Sequence, residues 1–173
     1  MIEMEASMSK RDLVLGEIQK VRRYTADLID NVQDAEWFRQ PADGVTHVAW
    51  QVGHLAVCQY ALCLRRIRGE HETDAELLPA DYFSLFGKGS EPSPEADIYP
   101  SPAEIRTVFD PVFRATESEL AELSESGLDE ETTPAHPMFT TKLGALQWAA
   151  QHEMLHAGQI GLIRRQLGST PLR

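Results

Sequence analysis

The stretch TKLGALQWAAQHEMLHAGQIGLIRRQL, residues 141–167, decides the reading of this chain. It carries no proline, is stopped by Gly168 and Pro171, and reads as one long amphipathic helix. Inside it, His152-Glu153-Met154-Leu155-His156 spells H-E-x-x-H, the letters of a zinc-protease helix. Residues four apart on a helix share a face with Cβ atoms about 5–6 Å apart, so both histidines can reach one ion. A zinc protease needs a third protein ligand, usually downstream, and a glutamate aimed at the metal's water. Downstream of His156 the chain reads AGQIGLIRRQLGSTPLR, with no His, Cys, Asp or Glu. The protease reading thereby loses its main support, and a third ligand has to come from upstream.

Working outward, three more helices are expected. The first spans about 9–32, with Val14, Ile18, Val21, Thr25, Leu28 and Val32 as its inner stripe. A short piece at 34–39 carries Trp37 and Phe38. The second helix spans about 46–68 and ends at Gly69. The third opens at Ser101-Pro102-Ala103-Glu104, an N-cap serine with proline in the first turn and glutamate at N3, and closes at Gly127. Pro111 lies inside it and is expected to kink it. Residues 70–100 hold four prolines and no sustained period, with 90–102 expected to be loose, and 128–140 reads as a second polar loop. Only short runs such as Ala80–Phe86 could pass for strand. These elements predict a single all-α domain over residues 1–173, a four-helix bundle. The 70–100 segment is long enough to cross the bundle, so helices two and three can run parallel, giving an up-down-down-up order.

Composition narrows the function. The net charge is −11, from 16 Lys+Arg against 27 Asp+Glu, which repels phosphate backbones and argues against nucleic acid. No apolar run reaches membrane-spanning length. The opening MIEMEASMSK has no apolar signal-like segment, so a cytoplasmic location is expected. Cys58 and Cys63 lie five apart on one helix and point to different faces, so they are not expected to pair.

The upstream ligand is found in AWQVGHLAVCQY. His54 follows Gly53, which lets a neighbouring backbone come close. Trp50 lies one turn before His54, as Trp148 lies one turn before His152, so each histidine row is flanked by an aromatic. Cys58, one turn after His54, is either a fourth ligand or a pocket wall. His47 shares the face but sits about 10 Å along the axis, at the expected pocket mouth. His71 and His136 are expected to be plain polar loop residues. Glu153 is rotated about 100° from His152 and suits helix packing or ligand support better than base catalysis. Gln159, three after His156, is placed either to orient a ligand by hydrogen bonding or to cap a buried polar spot.

Trp50-Gln51-Val52-Gly53-His54-Leu55 resembles the W-x-x-G-H-L segment of the DinB/YfiT-like proteins. His152 to Ile160, HEMLHAGQI, is similar to that family's H-x-x-x-H-x-G-Q-I segment. The resemblance covers nearly the whole chain. It implies an up-down-down-up four-helix bundle with a divalent metal, such as nickel, zinc, iron or manganese, on three histidines, here His54, His152 and His156. It also implies chemistry on a small-molecule substrate: thiol S-transfer, isomerisation with a low-molecular-weight thiol, or hydrolysis. A non-catalytic metal-binding module is the alternative. Homodimers are common among such bundles and are not readable from the residues.

Overall fold

The structure, a computed structural model, describes residues 8–172. Helix α1 spans Lys10–Asp30, capped by Ser9, whose hydroxyl accepts from the Asp12 amide. Val14, Ile18, Val21, Thr25 and Leu28 form its buried stripe, and Arg22 is buried among them. The predicted last turn to Val32 lies beyond the helix, which ends two residues earlier.

Helix α2 is the central element. It runs as an α-helix over Val48–Gln59, a π-helical turn over Tyr60–Arg65 and a final α-turn over Arg66–Arg68, ending at Gly69 with φ 88°. Nearly every residue of its first three turns is buried, including Gln51, Gly53 and His54. An uninterrupted helix is the sequence expectation; the π turn, one residue wider than an α turn, carries no Gly or Pro to announce it.

The 70–100 segment is not the loose connection its composition suggests. It contains α3 (Asp74–Leu77), α4 (Tyr82–Phe86) and a 3-10 turn at Ala96–Ile98. The run Ala80–Phe86, legible as strand, is thus largely helical. Aromatic packing holds the segment down: Phe86 is fully buried, stacked 5.6 Å from Tyr99 and tilted against Tyr82 at 5.0 Å. At its start, Asp74 accepts from Arg68 at 2.6 Å, from Tyr60 and from the His71 amide.

Helix α5 spans Pro102–Glu122 behind the expected Ser101/Glu104 capping box, and Pro111 is accommodated inside it. It ends one turn earlier than Gly127, which starts a 3-10 turn instead. The reading of 128–140 as a loop is corrected, while the protein stays mostly helical. The stretch forms an antiparallel hairpin of β1 (Glu131–His136) and β2 (Phe139–Thr141), with Glu131 opposite Thr141 and His136 opposite Phe139. Thr141 then caps α6, which spans Lys142–Gln166.

Contacts fix the sense of the long helices. Arg22 meets Glu153, Leu28 lies against Gly161, and the Asn31 carbonyl accepts from Arg164, so α1 and α6 run the same way. Gln19 meets Glu117 and Asp30 meets Arg106, so α1 and α5 run oppositely. Gln51 meets Gln159 while Leu62 shares a cleft with Trp148, so α2 and α6 are antiparallel. The protein is mostly helical, and no helix among the described residues is long and apolar enough to cross a membrane.

Candidate metal centre

Antiparallel α2 and α6 bring His54 against His152 and His156. Ring centroids lie 5.4 Å apart for His54–His152, 4.8 Å for His54–His156 and 4.4 Å for His152–His156. His152 and His156 face each other through their Nε2 atoms at 3.2 Å. His54 and His156 are buried, and His152 is half-buried.

Each of the two buried rings is oriented by a partner on its other nitrogen. His54 Nδ1 donates to the Phe86 carbonyl at 2.6 Å. A carbonyl only accepts, so Nδ1 carries the proton and Nε2 is bare. His156 Nδ1 donates to Gln51 Oε1 at 2.5 Å. The Gln51 amide is held in that orientation because its Nε2 donates to Gln159 Oε1 at 2.8 Å and to Thr46 Oγ1 at 3.2 Å. Gln159 therefore acts on His156 through Gln51 rather than directly. Sequence reading missed Gln51 and Phe86. A lone glutamine in the apolar run VAWQVGHLAV, three residues before His54, was the only signal of the first, and nothing marked the second.

Burial lowers all three imidazoles from their ordinary value. His152 falls to about 4, with the His54 ring adding to the effect of burial. His156 falls to about 3, through burial and then through His152 and His54. Burial also lowers His54, against the Phe86 carbonyl, which raises it. Near neutrality all three are uncharged, the form a metal requires.

Cys58 Sγ lies 3.3 Å from His54 Nε2. His54, Cys58 and His152 form a group whose ligand atoms all lie within 4.8 Å of one another, and which could hold a metal ion. Burial pushes the Cys58 thiol up to about 12, so without a metal it keeps its proton. Trp50 stacks on His54, 4.6 Å between centroids and 11° from parallel, with its indole N–H donated to Ser90 Oγ. Trp148 tilts against His152 at 6.3 Å. Gly53 admits the Phe86 side chain rather than a backbone: a Cβ there would lie 2.5 Å from the Phe86 ring.

Glu153 belongs to a different network. Both its oxygens take hydrogen bonds from Arg22, at 2.7 and 3.0 Å, in a pair whose side chains are only 6% and 7% exposed. The same guanidinium donates to the Phe109 carbonyl and to Gln59, and it lies 3.6 Å over the Phe109 ring. A carboxylate held on both oxygens is not free to serve a metal's water, so the H-E-x-x-H letters do not build a protease site here. Arg22 went unnoticed in the sequence because one arginine on a helix is ordinarily solvated.

Two histidines differ from expectation. His47 is not at a pocket mouth: it is fully buried, caps α2 by accepting from the Trp50 amide, and donates through Nε2 to the Ser93 carbonyl. His136 is more than a loop residue, since it lines a cleft of about 480 Å3 together with His54, Cys58, Trp148 and His152. The hairpin tip and the crossover supply the outer wall of this cleft through Met138 and Lys88.

A family model described as the DinB superfamily matches residues 17–160. A comparison with curated proteins finds no match.

Proposed function

The chain belongs to the DinB superfamily, and from that premise we propose a metal-dependent enzyme acting on a small molecule. In this reading the protein is a single-domain, up-down-down-up four-helix bundle that holds one divalent ion on His54, His152 and His156. The opposite sense of α1 to α5 and of α2 to α6, with α1 and α6 aligned, supports that topology.

One observation carries the metal reading: the Nδ1 atoms of His54 and His156 are spent on oxygen acceptors, which leaves Nε2 of His156 facing His152 and Nε2 of His54 beside the Cys58 thiol. The 3.2 Å between the Nε2 atoms of His152 and His156 suits one shared ion. Two ligands about 2.1 Å from a metal lie about 3.0 Å apart at an octahedral angle and about 3.4 Å apart at a tetrahedral one. Three neutral nitrogen donors beside a cleft fit zinc, nickel, iron or manganese. Such an ion, when bound, is a Lewis acid with open positions that lowers the pKa of whatever binds there.

The protein's own residues do the positioning. Phe86 and Gln51 fix the tautomers, Trp50 clamps the His54 ring face, and Trp148 and Met138 wall the cleft where a substrate or a low-molecular-weight thiol would lie. Thiol S-transfer, isomerisation and hydrolysis are the reactions this arrangement suits. Elemental analysis of purified protein tests the site: about one ion per chain is expected, lost in His54→Ala and in His152→Ala. If Cys58→Ser keeps the metal and His156→Ala loses it, the third ligand is His156. Folded wild-type protein without metal after growth in metal-replete medium refutes the reading.

A second reading, a metal-binding module without turnover, is favoured by the cleft lining, which among the described residues includes no carboxylate to move a proton. Metal removal that lowers stability, with no thiol conjugate or ester turned over by the loaded protein, would support it.

A further inference from the structure

The cleft beside the three histidines has an unusual electrostatic wall. The chain carries an excess of eleven acidic charges, yet the cleft is lined by Arg66, Lys88 and His136 and by no Asp or Glu among the described residues. Among the described residues neither Arg66 nor Lys88 has a carboxylate within ion-pair distance, whereas Arg22, Arg65, Arg68 and Arg106 all do. A cation with no counter-ion, on a protein this acidic, is available to a ligand.

Arg66 is also aimed. In an unbroken α-helix it would lie about 120° around the axis from His54, twelve residues earlier. The π turn at Tyr60–Arg65 inserts in effect one residue, which reduces the offset to about 20°. Arg66 therefore shares the face of His54 and Cys58, and all three line the cleft. Its guanidinium spends Nη1 on the Ala61 carbonyl at 3.3 Å, while Nε is buried with no partner. Nη2, with no hydrogen-bond partner among the described residues, is the donor left to make a charge-assisted bond to a carboxylate or phosphate.

His136 completes the wall. Its Nδ1 accepts from the Met138 amide at 3.2 Å, so in the neutral ring Nε2 carries the proton and is a donor. Burial and the nearby charges of Arg66 and Lys88 lower its pKa, which keeps it neutral. Its ring is stacked 4.3 Å on Phe139, which fixes its plane.

We propose that this cleft takes a small organic anion, its acidic head gripped by Arg66 and Lys88 with His136, and its apolar body against Trp148, Met138 and Leu62. The proposal deepens the metal-centre reading by naming the chemical class of substrate that would lie beside the ion. Carboxylate and phosphate heads share this recognition chemistry, so both are probed.

The test is calorimetric titration of metal-loaded protein with benzoate, phenyl phosphate and neutral benzamide, at low and raised salt. Benzoate or phenyl phosphate is expected to bind at least about tenfold more tightly than benzamide, the weight of one charge-assisted hydrogen bond, and to weaken with salt. The tighter of the two identifies the head. Arg66→Gln is expected to cost about tenfold for the anion and nothing for benzamide. Lys88→Ala, at an exposed side chain, repeats the comparison should Arg66→Gln fold poorly. Equal binding of benzamide and both anions overturns the proposal, as does undiminished anion binding in both variants. His152→Ala separates the two readings. Anion binding lost there but kept in Arg66→Gln puts the anion on the metal, sinking this proposal and leaving the metal site intact. Arg66-dependent binding in protein that never holds metal keeps the anion site and sinks the metal reading.

Discussion

Gln51 on α2 and His156 on α6 meet across 105 residues of sequence, the glutamine oxygen accepting the His156 Nδ1 proton. The bond sets which nitrogen of His156 faces His152. Replacing Gln51 with leucine removes the acceptor, lets the ring take either tautomer, and leaves Gln159 without its partner. Loss of such an orienting bond typically costs about 10–100-fold in metal affinity. Competition with a chromogenic chelator should show a weakening of that size in Gln51→Leu, beside a loss of about 1–3 kcal/mol in the stability of the metal-free protein from the unpaired buried groups. Unaltered affinity would mean that the ring is held by packing alone.

Glu153 is expected to matter for stability and not for chemistry. Removing one member of a buried, hydrogen-bonded ion pair leaves the other charge unpaired and costs about 3–5 kcal/mol. Glu153→Ala should therefore unfold at much lower urea than wild type. Arg22→Met combined with Glu153→Leu should recover a good part of the loss, since neither charge is then stranded. If Glu153→Gln abolishes metal-dependent turnover while stability holds, the packing role assigned to it is wrong.

Gly53→Ala tests the fit between α2 and the crossover. The added Cβ would meet the Phe86 ring at 2.5 Å, and overpacking of this kind costs about 1–3 kcal/mol. Because the carbonyl of the same Phe86 orients His54, metal affinity should fall together with stability. Adding Phe86→Leu to Gly53→Ala should restore part of both, as read by thermal melts and chelator competition. A fully stable Gly53→Ala would show that the ring moves aside freely.

Acid should destabilise the metal-free protein through its buried histidines. Folded His47 and His152 titrate near 4 and His156 near 3, against an ordinary value of 6.5. Burial is the leading cause in each. The unfolded chain thus binds more protons than the folded one between those values. Stability is accordingly complete above about pH 6.5 and falls progressively as pH drops toward 4 and below. Urea midpoints in the presence of a chelator should decline over that window. The decline should be shallower in His156→Gln, because one group of the set no longer titrates, and a flat profile would contradict the buried neutral state of these rings. In metal-loaded protein the same acidification should release the ion, because protons compete for Nε2.

Long-range geometry explains which parts of the site were legible in the chain. His152 and His156 declare themselves by helical spacing, and His54 by the W-x-x-G-H-L segment around it. Gln51 and Phe86 could not be read as partners, because a hydrogen bond between α2 and α6, or between α2 and the crossover, leaves no periodic mark on either segment. His47 and His136 exchanged their expected importance for the same reason. A histidine's role depends on what packs against its free nitrogen, and for His47 and His136 those contacts are made in turns and caps.

The amino-acid sequence by itself determined the helical elements, through period and capping: the Val14–Leu28 stripe, the Ser101/Glu104 box, and the i, i+4 histidine pair. These are local interactions, complete within a few residues. Only the tertiary structure decided that the proline-rich crossover packs through Phe86, that 131–141 pairs as a hairpin, and that Glu153 is taken by Arg22. It alone also shows the π turn swinging Arg66 onto the face of His54. Each of these depends on burial against a distant segment, where close packing and the need to satisfy a buried polar group outweigh local preference.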